Sequence, residues 1–209
     1  MGTILERRGR DIIWQTIPPD IRATNPVLRV INQRLRDDST ALNTSGGWLA
    51  AEDANYSSLA LDTVYRIRMT VDDVAGKNGD FVNDGEIMQY RRNGGSWTNL
   101  GDGNCDLASS AHITGTGTCG TRLLSTAPSG SFDAEGPAWE SGSSPPSNSY
   151  AKDDYFETEH AFQVPSSGVF TNGDTLELRW TGGNMDTANE ANHTKIVLTI
   201  AAAAKNYKY

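Results

Sequence analysis

The sequence predicts an all-β protein, a single antiparallel β-sandwich of jelly-roll type preceded by an extended N-terminal arm. Three observations carry this. β-prone runs recur from residue 27 onward, each bounded by turn residues, at the spacing of a sandwich. Apolar residues at helical spacing are nearly absent. Glycine (21) and proline (8) are frequent enough for many turns but too few for a low-complexity chain of 209 residues. A chain of this length can bury one substantial core. The expected organisation is an arm over residues 1–26, one sandwich over 27–201 and a short tail over 202–209.

In the arm, Ile12-Ile13-Trp14 and Ile17-Pro18-Pro19 form an apolar stretch, and with Pro26 the prolines favour an extended strap that does not complete a sheet ladder. Asp62–Asp72 is the clearest strand. Tyr65, Ile67, Met69 and Val71 alternate with Arg66, Arg68 and Thr70, so one face is expected in the core and the other in water. Between Glu86 and Leu100, Asn93-Gly94-Gly95 separates two β-prone runs, and Asn-Gly supplies the positive φ angles of a tight hairpin. Residues from about 101 to 153 are rich in Gly, Ser and Pro and are expected to project as a long loop. Tyr155–Val164 again alternates, with Phe156, Thr158, His160, Phe162 and Val164 set against Tyr155, Glu157, Glu159 and Gln163. Asn172-Gly173-Asp174 turns into Thr175–Trp180, and Thr194–Ile200 closes the domain. The expected inward residues are Tyr65, Ile67, Met69, Leu176, Leu178, Trp180, Ile196, Leu198 and Ile200.

The net charge of −8 is unevenly spread. Residues 1–36 hold seven arginines against Glu6, Asp11 and Asp20, a balance of +4, which leaves −12 on the rest. An acidic body argues against nucleic acid as a partner, while a basic start suits an acidic protein surface. No apolar run approaches the ~20 residues of a membrane span. Met1–Asp11 carries charges where a leader peptide needs an apolar core, so a soluble chain with no membrane partner is expected.

The candidate chemistry is sparse. Gly115-Thr-Gly-Thr-Cys-Gly120 has the spacing of a dinucleotide loop, but Thr121–Pro128 shows no helical pattern to receive a pyrophosphate, so a turn and no cofactor are expected. Asp102-Gly-Asn-Cys-Asp106 opens like a calcium loop, yet Leu107 replaces the bend glycine and Ile113 the bidentate glutamate. Asn78–Glu86 could also arrange oxygens around a hard cation. Hydrated turns are expected at both, with a structural Ca²⁺ as the alternative and no metal in the reading adopted. Cys105 and Cys119 are too few for a zinc cage; they could close a disulfide worth ~3 kcal/mol or remain two thiols. His112, His160 and His193 lack a metal-binding spacing. Glu157 and Glu159 fall on the polar face of an alternating strand, where solvation is expected in place of glycosidase chemistry. No catalytic residue stands out, and a non-enzymatic role is expected.

Several segments together resemble a family of β-rich virion-surface proteins encoded in tailed-phage structural modules and viral metagenomes. They are Ile31–Asp38 leading into Gly47–Asp53, the strand Tyr65–Met69, Gln89–Thr98, His112–Gly115 with Thr121–Leu123 and Ser131–Glu135, Glu157–Phe162, Asn172–Arg179 and the closing strand. The resemblance runs from about residue 30 to 201; the long arm, the two cysteines and the Pro/Ser-rich stretch depart from it. It implies a repetitive structural protein of a virus particle, assembled in the host cytoplasm. A capsid decoration or cement protein is the leading form, with head-fibre and tail proteins as variants. The major capsid protein or other virion proteins would be its partners, with further copies of itself. A carbohydrate-binding sandwich, with Trp139 or Tyr150 stacking on a glycan, is the alternative. Trp48, Trp97 and Trp180 suit a sandwich core, whereas Trp14 and Trp139 fall where exposed aromatics mark contacts. The candidate partner-binding residues are therefore Arg10, Ile12, Ile13, Trp14, Ile17 and Trp139.

Overall fold

The alternating runs pair into two sheets whose apolar faces meet. The computed structural model describes residues 3–8, 11–16, 27–74, 79–81, 87–114, 117–142, 148–150, 153–183, 185–186, 191 and 193–201, with backbone pairing alone at 3–8, 11–16, 79–81 and 148–150. In chain order the strands are β1 (Thr3–Arg8), β2 (Asp11–Thr16), β3 (Leu28–Asp37), β4 (Tyr56–Leu59), β5 (Val64–Asp73), β6 (Gly79–Phe81), β7 (Ile87–Arg92), β8 (Thr98–Asn99), β9 (Asp106–Leu107), β10 (Phe132–Asp133), β11 (Ala138–Trp139), β12 (Asn148–Tyr150), β13 (Tyr155–Gln163), β14 (Thr175–Thr181) and β15 (Val197–Ile200). The first sheet has the order β10-β13-β5-β3, with β9 and β11 also on the outer side of β13; the second is β4-β15-β14-β7-β8. Pairing is mostly antiparallel, but β10 and β11 run parallel to β13 and β4 runs parallel to β15. The chain is thus the all-β sandwich expected.

All nine residues expected to face inward are buried. They join Leu28, Val30, Leu35, Phe156, Phe162 and Val164 in one apolar cluster between the sheets. Each such side chain contributes about 1.5–3 kcal/mol on burial, before the entropy of ordering it. Trp180 stands edge-on to Trp139 and Phe156, with ring centroids 5.8 and 6.4 Å away. Trp48 and Trp97, expected in this core, are only half-buried. Their rings lie under guanidinium groups, Arg34 and Arg36 over Trp48 at 4.6 and 4.9 Å, Arg91 and Arg179 over Trp97 at 4.7 and 4.3 Å. A planar cation covers an indole outside the core about as well as an apolar neighbour would.

The expected hairpin forms at Asn93-Gly94, with φ of 50° and 67°. Asp174 ties this turn to β14. It accepts hydrogen bonds from Asn93 Nδ2 (2.6 Å), the Thr171 backbone N–H (2.7 Å) and Arg92 Nη2 (2.7 Å), which together hold its carboxyl well below the usual range. At the far side of the first sheet, residues 47–53 run along β3. Asp37 N–H bonds Gly47 O (2.8 Å), Leu49 N–H bonds Leu35 O (3.1 Å) and Asp53 N–H bonds Gln33 O (2.8 Å), so that edge is covered.

Two expectations are corrected. Arg66, Arg68, Thr70, Glu157 and Glu159 were expected in water and are fully buried. The stretch from 101 to 153 was expected to project; instead its described part folds back, with β9, β10 and β11 adding to β13. Ile113, Cys119 and Ala138 join Leu42 and Ala161 in a second apolar cluster on the outer face of the first sheet. The two corrections are linked, because the returning segment helps to cover the polar face and, together with the loop at 40–44, supplies its hydrogen-bond partners. Residues 115–116, 143–147, 151–152 and the tail 202–209 lie outside the described residues.

The arm expected to run extended contains a paired hairpin. β1 and β2 are antiparallel from Thr3↔Thr16 to Arg8↔Asp11, with Leu5 opposite Trp14 and Arg7 opposite Ile12. Two β-prone runs separated in sequence by only Gly9-Arg10 have the spacing of a two-residue hairpin connection. Pro18, Pro19 and Pro26 lie outside the described residues. Since Arg29, Arg34 and Arg36 belong to β3, the arm itself holds four arginines against three carboxylates, a balance of +1 where +4 was counted for residues 1–36.

Gly136 fixes how closely the returning segment approaches β13, because a Cβ there would lie 1.9 Å from the Glu157 carbonyl oxygen. Gly136→Ala is expected to lower stability by about 3 kcal/mol, an overpacking cost read from the urea midpoint. An unchanged midpoint would mean that the segment yields freely.

Candidate functional site

The most unusual constellation is the outer face of the first sheet. Pairing places Arg36 opposite Arg66 and Arg34 opposite Arg68 across β3 and β5, and Glu159 opposite Arg68 and Glu157 opposite Thr70 across β5 and β13. Like charges side by side repel, and the carboxylates of β13 offset this. Glu159 Oε1 is 2.8 Å from Arg66 Nη1, and its Oε2 is 3.1 Å from Arg68 Nη1 and 3.4 Å from Arg36 Nη1. Glu157 Oε2 is 2.7 Å from Arg68 Nε, and Asp38 Oδ1 is 3.0 Å from Arg66 Nε. Three guanidiniums thus face three carboxylates, and all but Asp38 are fully buried.

The remaining donors and acceptors of this layer hold two loops. Arg36 Nη2 donates to Ala41 O and Thr44 O, each at 3.2 Å, and Arg66 Nη2 donates to Thr40 O. Arg68 donates from Nη1 to Leu42 O (3.1 Å) and from Nη2 to Thr121 O (2.6 Å). Glu157 accepts the backbone N–H groups of Leu123 (2.9 Å) and Leu124 (2.8 Å). Burial lowers Arg36 below the usual arginine range, with Glu159 opposing the shift. This arrangement is a clamp: Glu157 and Glu159 are occupied by guanidinium and backbone donors, which is incompatible with the two free carboxylates of a glycosidase.

On the inner face of β13, His160 is fully buried, and burial pushes it down to about 3. Cys105 and Cys119 are both free, which settles the alternative left by the sequence. Cys105 belongs to the core between the sheets and Cys119 to the outer cluster, so they lie on opposite sides of the first sheet. Burial raises both thiols, Cys119 to about 12.

The carboxylates of the calcium-like loop are turned onto donors of the loop itself and of Tyr90 in β7. Asp102 Oδ2 accepts from Tyr90 Oη (2.7 Å) and Asn104 Nδ2 (3.0 Å), and Asp106 Oδ1 accepts from Gly103 N–H (2.9 Å). Apart from the backbone of β6, Asn78–Glu86 lies outside the described residues. In the glycine motif, Thr118 bridges Pro137, and Gly115 and Thr116 are outside the described residues.

Among the expected partner-binding residues, Ile12, Ile13 and Trp14 fall in β2, and Arg10 and Ile17 lie outside the described residues. Trp139 is corrected: it is 6% exposed, in β11, with its ring 5.0 Å from His160. It packs inward because the segment carrying it returns to the sheet. Tyr150 lies in β12, paired with Gly79. A half-exposed aromatic is found instead at Trp97 on the outward face of the second sheet, beside the Arg91–Glu177 pair (2.9 and 2.7 Å) and Arg179, which donates to Gln89 Oε1 (2.8 Å). One sequence signal pointed to the buried layer: Arg66 and Arg68 have the same two-residue spacing as Glu157 and Glu159.

Fold and site together define a β-sandwich whose first sheet is buried on both faces and clamped by ion pairs. The chain matches no protein-family model and no curated protein.

Glu159→Gln would leave three buried guanidiniums short of a countercharge, and a loss of about 3–5 kcal/mol is expected in urea unfolding. A loss under ~1 kcal/mol would mean that the layer is wet. At pH 8, Ellman's reagent is expected to label neither thiol in the folded chain and both in denaturant; native labelling would contradict the burial of the cysteines.

Proposed function

We propose that this chain is a virion structural protein, a capsid decoration or cement protein that binds the outside of a phage head through its N-terminal hairpin. The observation that carries this reading is the pairing of β1 with β2. Among the described residues these strands form a sheet of their own, separate from both sheets of the sandwich. A lone two-stranded hairpin is marginal in water. A hairpin whose sequence holds Ile4, Leu5, Ile12, Ile13 and Trp14 gains by docking on another surface. The major capsid protein or another virion protein would supply that surface. The resemblance described above supports the same reading, as does a body that carries −9 when the arm's +1 is taken from −8 and so suits high copy number.

With the arm at only +1, docking rests mainly on apolar area. Burying Trp14 and the isoleucines would supply several kcal/mol at ~25 cal/mol/Å², offset by the entropy of fixing the arm. Binding should therefore depend little on salt. A carbohydrate-binding role is the second reading, and the half-exposed ring of Trp97 beside Arg91, Arg179 and Gln89 is the observation that favours it.

Deleting residues 1–24 is expected to leave a folded domain by circular dichroism that no longer co-sediments with particles, whereas the full chain co-sediments at fixed stoichiometry. Undiminished particle binding by the truncated chain would move attachment to the sandwich. Glycan-array binding abolished by Trp97→Ala would favour the second reading.

A further inference from the structure

We propose that residues 136–140, centred on β11, form an acid-released latch: protonation of His160 frees β11 from β13, withdraws Trp139 and lets water reach the imidazole, and uncovers the outer face of the first sheet, while the rest of the core between the sheets stays closed. The argument starts from the hydrogen bonds of one imidazole. Thr158 Oγ1 donates its only proton to Pro137 O at 2.7 Å, so at 3.0 Å from His160 Nε2 it acts as acceptor, which places the imidazole proton on Nε2. His160 Nδ1 is then a bare lone pair, with no hydrogen-bond partner among the described residues.

Among the described residues, the groups facing the ring from each packed element carry no charge. They are Ile67 of β5, its register partner; Trp139 of β11, at 5.0 Å; Trp180 of β14, at 5.5 Å; and Thr158 of β13 itself. Arg66, Arg68, Glu157 and Glu159 project from the other face of the same two strands. An imidazolium here would have an N–H without an acceptor and a charge without a counterion. Burial is what holds His160 near 3.

Relief comes most easily on one side. β13 is bordered by the ten-residue β5 on one edge and by β9, β10 and β11, each two residues long, on the other. β11 pairs Trp139 with His160 and Ala138 with Glu159, so its departure gives the imidazole access to water. With the latch open, His160 returns to its ordinary value of about 6.5. The closed form binds fewer protons between the two values, so closure weakens as pH falls from about 6.5 toward 3 and changes no further below that. At pH 4.5 the opening equilibrium should be about 100-fold more favourable than at pH 7.5.

The two thiols report the event separately. Cys119 lies under the latch: its N–H donates to Gly136 O at 2.7 Å and its sulfur is 3.7 Å from Pro137 O. Cys105 lies in the core between the sheets directly before β9, which pairs with Phe162 and Gln163 rather than with His160, so it is exposed only if opening spreads beyond β11. The full chain would be treated with 4,4′-dithiodipyridine between pH 7.5 and 4.5, each rate divided by that of free cysteine at the same pH, and the sites assigned by peptide mass. Normalised labelling of Cys119 is expected to rise about 100-fold while Cys105 stays protected, and His160→Phe should flatten the rise. Parallel labelling of both cysteines, protection of Cys119 down to pH 4.5, or an unchanged profile in His160→Phe would each overturn the latch. Should that variant not fold, hydrogen exchange of the wild-type chain decides: faster exchange in 136–140 than in 176–180 at pH 4.5 supports the latch, and equal acceleration overturns it.

Discussion

The layer of Arg36, Arg66, Arg68, Glu157 and Glu159 is the constraint on which the rest of the molecule depends. A buried ion pair adds little net stability compared with well-packed apolar residues, because desolvation consumes most of the Coulombic gain. Its force lies in what it forbids. Once these groups are placed between a sheet and its cover, any arrangement that separates them leaves an unpaired charge out of water. The loops at 40–44 and 121–124 are therefore specified by the carbonyl and N–H groups they must present to guanidinium and carboxylate.

This explains how an antiparallel sheet comes to be buried on both sides. Such a sheet usually keeps one face for the core and one for water. Here the second face is covered by irregular chain, whose own polar groups would be costly to bury unless matched. The arginines and glutamates provide the match, and Leu42, Ile113, Cys119, Ala138 and Ala161 close the remaining space with apolar atoms. The cover and the ionic face are each unfavourable without the other.

The sandwich was legible in the sequence wherever alternation set apolar against polar residues. Ile67 and Met69, Leu176 and Leu178, and Leu198 and Ile200 all point where their periodicity says. The same alternation misled at Arg66, Arg68, Glu157 and Glu159, because period two reports which side chains share a face and is silent on what covers that face. Composition misled in the same way at Trp139. A Gly-, Ser- and Pro-rich segment has the turn content of a projecting loop, yet glycine also permits the close approach seen at Gly130 and Gly136, where a Cβ would meet the Asp153 oxygen just before β13 at 1.7 Å and the Glu157 oxygen within it at 1.9 Å. The hairpin turn at Asn93-Gly94 was legible because its chemistry is local. The ion pairs of Arg66 and Arg68 with Glu157 and Glu159 join residues about 90 positions apart, and that of Arg36 with Glu159 spans 123, so they have no local signature.

The covered edges of the first sheet bear on how this body can meet others. Residues 47–53 occupy the open side of β3, and β9, β10 and β11 occupy the far side of β13. A neighbouring strand therefore finds no free ladder on the first sheet at these positions, the usual route by which β-proteins associate through their edges. Contacts that avoid the second sheet's own edges, β4 and β8, use side chains on the faces or a strand pair that belongs to neither sheet. The hairpin β1–β2 is such a pair: it satisfies its own inner ladder and offers two further edges, so it can be added to a partner without opening either sheet of the body. A body specified from within by ion pairs and a strand pair that belongs to neither of its sheets can vary independently, since none of the described hydrogen bonds and ion pairs of the buried layer comes from β1 or β2.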